Sequence, residues 1–264
     1  MVRETKASKD KLAQKKQNED DELKELMALY KKKDYDGAIK FAGELLVTHP
    51  KSVNTLYVMG LSACMLHNHE LTISSFKRIL VIDPLYKKNM YLFISIAYKK
   101  LNDADNAILI LSEAITHFPN FYEAYIYRGK LYLKKREVKN SIKDFGNSID
   151  LNSTKCSGYI GLGDCYRIIG EYSAAIQNYS IVITKEEALF EIIALKRAIC
   201  YIEVKEYAGA ESDLDKILDS KSTNCEALYF KGFLRKVSGD HSQAIVIYEQ
   251  AIKLNGSETA TVKA

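Results

Sequence analysis

The chain has 264 residues, a formal net charge of +4, 47% hydrophobic residues and no tryptophan. No apolar run approaches the length that crosses a bilayer, so a helical membrane span is excluded. The five cysteines, at 64, 156, 165, 200 and 225, form no CxxC and no paired spacing. They read as reduced, buried small residues of a cytosolic protein and not as a disulfide framework.

Charge is placed unevenly. Residues 1–18 carry six basic and two acidic side chains, a net +4 that equals the charge of the whole chain, so 19–264 is formally neutral. This stretch lacks apolar periodicity and predicts a disordered basic tail. No apolar segment follows it, so it does not read as a secretory signal. Its lysines are too few and too mixed with acids to argue for nucleic acid.

From residue 19 the chain alternates between helical patterns and short polar turns. The first unit, 19–52, starts with the acids Glu19 to Glu22, which suit a helix N-terminus. Unit 53–86 holds His67 and His69 in its turn, with no third ligand at a fixed spacing to suggest a metal. Unit 87–121 has one extra residue, and Met90, Tyr91, Ile94, Ala97 and Tyr98 form the apolar face of its first helix. Unit 122–155 pairs YEAYIYRGKLYLKK with VKNSIKDFGNSIDL. In unit 156–190, Tyr159, Leu162, Gly163 and Tyr166 precede Gly170, Tyr172, Ala175 and Tyr179: two apolar helical patterns joined by a turn. Unit 191–224 carries the polar run AESDLDKILDSK, which predicts an outward face. Unit 225–258 is followed by a short tail, 259–264. With no clear capping helix in view, Ala244, Ile247, Tyr248, Ala251 and Ile252 are expected to meet a partner or a second copy, unless the chain is a fragment.

The repeat can be counted. Ala38, Thr72, Ala107, Ser141, Ala175, Ala210 and Ala244 mark one small position at spacings of 34, 35, 34, 34, 35 and 34. Gly60, Gly129, Gly163 and Gly232 mark a second, 12 residues earlier. Glycine weakens a helix, so close helix contact is the expected return. Pro50, Pro84 and Pro119 close the first three units.

With these residues the chain resembles the tetratricopeptide repeat family over about residues 19–258. The resemblance implies an all-α fold: a right-handed α-solenoid of about seven antiparallel helix pairs with a concave groove. Arg128, Arg197 and Lys231 depart from the pattern, standing where a large apolar residue is usual. The family's groove is made mainly by the first helix of each pair. That register implies groove sites at Tyr57, Leu61, Met65, Leu92 and Ile96, then at Ile126, Ile160, Asp164, Ile199 and Phe233. Lys99, Lys100, Lys130, Lys134 and Arg167 form a basic band, and Lys236 closes the row. Such a groove suits a partly acidic peptide or helix with apolar anchors.

Other functions find little support. No nucleophile elbow, metal-binding helix motif or phosphate-cradling loop is present, so the chain reads as a non-enzyme without a cofactor. The sites at which helical repeats read RNA, among them Leu23, Leu195 and Tyr229, are apolar. Chaperone-binding members need lysine and asparagine where Leu23, Tyr57, Leu92, Met27, Leu61 and Ile96 stand. A scaffold within a multiprotein assembly remains, with a ciliary or axonemal setting as the leading analogy. The alternative is a structural brick held by its ends and convex face.

Overall fold

A computed structural model describes residues 6–261, with side chains described for residues 17–254. Among the described residues there are fourteen α-helices, one short 3-10 turn and no strand. The chain divides into two compact units, residues 1–131 and 132–264.

The first unit holds α1 (Lys6–Lys31), α2 (Tyr35–Thr48), α3 (Val53–Met65), α4 (His69–Ile82), α5 (Asn89–Lys100), α6 (Ala104–His117) and most of α7 (Tyr122–Lys134). The second holds the end of α7, then α8 (Val138–Leu151), α9 (Cys156–Ile168), α10 (Tyr172–Lys185), α11 (Phe190–Glu203), α12 (Tyr207–Ser220), α13 (Cys225–Val237) and α14 (His241–Thr261). Residues 6–18, within the stretch expected to be a basic tail, fall inside the bounds of α1. Lys6 to Asn18 contains no glycine or proline and is rich in Lys, Ala, Leu and Gln, all strong helix formers. Residues 1–5 and 262–264 lie outside the described residues.

Seven three-residue turns join the helices within the pairs, and all follow one rule. The middle residue is left-handed: Lys33, His67, Asn102, Arg136, Gly170, Lys205 and Gly239 have φ between 56° and 87°. A left-handed residue ends a helix sharply and turns the chain back. The third residue then opens the next helix. Asp34, Asn68, Asp103 and Asp240 accept hydrogen bonds from the backbone N–H of Gly37, Leu71, Asn106 and Gln243, each at 3.0 Å. These are N-caps, each worth about 1 kcal/mol.

Packing explains the small positions. Ala38, Thr72, Ala107, Ser141, Ala175, Ala210 and Ala244 are all buried. A Cβ on Gly60 would lie 2.6 Å from Phe76, one on Gly163 would lie 2.5 Å from Tyr179, and one on Gly232 would lie 2.8 Å from Tyr248. In each case a first-helix glycine admits an aromatic ring from the second helix, 16 residues on. In the first unit the core gathers Leu56, Phe76, Met90, Tyr91, Ile94, Leu111 and Phe121. In the second, one cluster centres on Tyr179, Val182 and Ile193, and another on Leu214 and Ile217. Burying each such large side chain contributes about 1.5–3 kcal/mol.

The polar run of α12 is only in part the outward face that its composition predicts: Ser212, Lys216 and Asp219 are exposed, but other residues pack inward. Leu214 and Ile217 are fully buried, and Asp213 is only 2% exposed. Arg197 reaches Asp213, Lys231 reaches Asp215 at 2.6 Å, and Arg235 pairs with Glu211. Two of the cations that depart from the family pattern, Arg197 and Lys231, thus bind the acids of this run. The alternation of acid and apolar residues reflects two kinds of contact with neighbouring helices.

Candidate functional site

In the first unit, α3 and α5 present Tyr57, Leu61, Leu92 and Ile96 as half-buried residues and Met65 as an exposed one. All but Met65 and Ile96 also pack on the core cluster, so they offer ring or side-chain edges and not whole surfaces. Lys99, Lys100 and Lys130 are exposed, and none has a carboxylate within ion-pair distance among the described residues. Ile126 is only 5% exposed. Its place among the groove residues is corrected: a side chain already enclosed by packing gives a partner nothing to touch.

Tyr57 carries more than the sequence suggests. Its ring leans on Phe76 and meets the edge of Tyr86, both at 5.9 Å between centroids. The Lys87 ammonium sits 3.8 Å from the Tyr57 ring centre, within the range of a favourable cation–π contact. The Tyr86 hydroxyl donates to Asn54 Oδ1 at 2.8 Å. Burial, then the neighbouring Tyr86, pushes the Tyr57 phenol above its ordinary value, so the ring stays neutral. Sequence reading missed Lys87 and Asn54. Lys87 stands in the loop that holds the extra residue of unit 87–121, outside any regular repeat position, so counting could not find it.

In the second unit, Asp164 on α9 is already partnered. It accepts the Tyr179 hydroxyl at 2.7 Å and the Lys196 ammonium at 2.8 and 3.0 Å. Burial, then the Asp164 carboxylate, holds the Tyr179 phenol protonated. Arg167 is half-buried beside Tyr179, and its Nε is buried with no hydrogen-bond partner among the described residues. Lys134 and Lys236 are exposed, while Ile160, Ile199 and Phe233 are half-buried. The most exposed apolar residues of these first helices are Ile192, at 62%, and Tyr229, at 54%, which sequence reading left out of the groove. Their signal was present: Ile192 is seven residues before Ile199 and Tyr229 four before Phe233, so each shares a helix face with a named residue.

The apolar end assigned to α14 divides. Ala244 and Ala251 are buried, and Tyr248 lies over Gly232 on α13. These three lie at i, i+4 and i+7, which is one stripe of a helix, and that stripe packs inward. Ile247 is half-buried and Ile252 is 71% exposed. The open apolar surface is therefore Ile252 with Ile245 and Val246, and not Ala244, Tyr248 and Ala251.

Paired antiparallel helices, left-handed turn residues and glycine-to-aromatic contacts at a fixed offset together decide the architecture. The fold is that of the tetratricopeptide repeat. A family model described as "Tetratricopeptide repeat" matches residues 226–258. The human "Tetratricopeptide repeat protein 6" is 22% identical over 164 residues, covering 61% of this chain and 31% of that protein. The chain thus spans less than a third of that relative. Among solved structures, the C-terminal part of a tetratricopeptide repeat protein from Cytophaga hutchinsonii matches with a TM-score of 0.76 at 15% identity, over 91% of this chain and 98% of that one. YrrB, described as a tetratricopeptide repeat protein with an unusual peptide-binding site, matches with a TM-score of 0.60 at 14% identity, over 71% and 96%. No catalytic family is indicated by these comparisons.

Proposed function

We propose that this chain is a non-catalytic protein-interaction scaffold that captures a peptide or helix on the first-helix face of a unit. In the first unit the partner segment carries apolar anchors and acidic residues. The observation that carries the reading is the pairing of a partly open apolar face with Lys99, Lys100 and Lys130, which have no carboxylate within ion-pair distance among the described residues. Apolar residues supply affinity at such a face, and unpaired cations select an acidic segment and speed its encounter. The peptide-binding site named for YrrB supports the reading by fold alone. By analogy with other chains built almost wholly of such units, we place the scaffold in a cytoplasmic assembly, with a ciliary or axonemal one foremost.

A second reading, a brick held by its outer faces, draws on Val47 and Val81. They are 82% and 86% exposed at the same repeat position on α2 and α4. Crosslinking mass spectrometry of the native assembly separates the two. Crosslinks from Lys99, Lys100 and Lys130 to one foreign acidic segment, lost in the Lys99→Glu/Lys100→Glu variant, are expected. Crosslinks confined to Lys40, Lys51 and Lys77, unchanged in that variant, favour the brick.

A further inference from the structure

The turn between α13 and α14 differs chemically from the other six turns within helix pairs. Those six begin with Lys32, Leu66, Leu101, Lys135, Ile169 and Val204, whereas this one begins with Ser238, the one hydroxyl among them. Ser238 is exposed. Its left-handed neighbour is Gly239, at φ 87°, whereas five of the other turns place a residue with a Cβ there. Glycine moves between left-handed and extended backbone without steric cost, so this turn can open to an extended strand more readily than they can. Three and two residues before Ser238 stand Arg235 and Lys236, giving the sequence RKVSG. Two cations, an apolar residue and an exposed hydroxyl on an openable turn suit a serine kinase with an acidic substrate cleft.

We propose that Ser238 is a phosphorylation site and that its phosphate competes with Glu211 for Arg235. In the transfer, Ser238 Oγ bonds to the γ-phosphorus of a magnesium-bound nucleoside triphosphate. The bond to the bridging oxygen breaks, the nucleoside diphosphate leaves, and the hydroxyl proton passes to the kinase's base. In the unmodified chain Ser238 Oγ donates to the Arg235 carbonyl at 2.8 Å, which satisfies a last-turn acceptor of α13. The phosphate abolishes that donor. It also sets a near-dianion against the carbonyl end of α13, where the helix dipole repels it. Relief comes from Arg235, three residues back on the same side of the helix, and from Lys236. Arg235 is held in the unmodified chain by Glu211 on α12, in a pair whose side chains are 31% and 39% exposed. A phosphate offers the guanidinium a doubly charged, bidentate acceptor in place of one carboxylate. Modification therefore loosens the α12–α13 link and gathers both cations at the turn.

The test uses the full chain with magnesium ATP and the catalytic subunit of cyclic-AMP-dependent protein kinase. The expected result is one phosphate by intact mass, mapped to Ser238 by fragmentation and lost in Ser238→Ala. Lys236→Ala changes an exposed residue with no ion pair among the described residues, so it should leave the fold intact and slow the transfer. Glu211→Gln should release Arg235 and raise the initial rate about 1.5- to 5-fold, the factor that a part-exposed ion pair can withhold. No phosphate, or phosphate that persists in Ser238→Ala, overturns the site. An unchanged rate in a Glu211→Gln chain whose circular dichroism matches the parent overturns the competition for Arg235.

Discussion

Arg197 on α11 holds Asp213 on α12 with two hydrogen bonds, Nε to Oδ2 at 2.9 Å and Nη2 to Oδ1 at 2.7 Å. Its third nitrogen, Nη1, donates to Ser180 Oγ on α10 at 2.8 Å. One guanidinium thus ties three helices, and the Asp213 carboxylate beneath it is 3% exposed. Arginine suits this place because its planar fork meets a carboxylate bidentately and keeps a donor for a second helix.

Removing one partner of this pair leaves a buried charge uncompensated. Arg197→Met should therefore destabilise the chain by about 3–5 kcal/mol, seen as a lower urea midpoint. The double variant Arg197→Met/Asp213→Leu should recover most of the loss, because apolar residues of similar size fill the space without a charge. A single variant as mild as the double would mean that the pair is solvated and peripheral.

The approach of α9 to α10 depends on Gly163. Tyr179, fully buried, already stands where a Cβ would go. Gly163→Leu should overpack the contact at a cost of about 1–3 kcal/mol. Gly146 on α8 is the matched control, since nothing lies within 4 Å of its added Cβ. Gly146→Ala should stabilise by about 0.5–1 kcal/mol through helix propensity alone. Opposite signs at two helical glycines in one denaturation series would confirm that close packing fixes the first.

The Cys200 thiol is enclosed, and burial pushes its pKa up to about 11, with the nearby Arg167 opposing the shift. At pH 8 it should resist Ellman's reagent in the folded chain and react on unfolding, whereas the half-exposed Cys225 should react first. The linkage has a definite sign. The unfolded thiol loses its proton near the ordinary value of 9.0, while the folded thiol keeps it until about 11. Stability from this group is therefore full below pH 9 and falls as pH rises from 9 to 11. Cys200→Ala should flatten that part of the pH profile, and an unflattened profile would assign the loss to other groups.

The sequence by itself determined the repeat, its helix pairs and the register of its small positions. Each of these is a local periodic property: a fixed spacing, a face of a helix, a glycine or proline at a turn. The register was accurate enough to place Gly163 against a neighbouring helix, and the structure supplies Tyr179 as the ring it admits. What only the tertiary structure decided concerns pairs of residues brought together across helices. The acids of α12 read as a solvated face because their partners, Arg197, Lys231 and Arg235, lie 16 to 24 residues away in the chain on other helices. The same holds for Lys87 over Tyr57 and for Lys196 on Asp164, which turn two assigned recognition residues into parts of preformed clusters. Enclosure also lay beyond reach. Ile126 and Ile160 occupy one repeat position, 34 residues apart, yet only Ile126 is closed over. Periodicity fixes which way a side chain points, but how much of it stays open depends on the neighbours that pack around it.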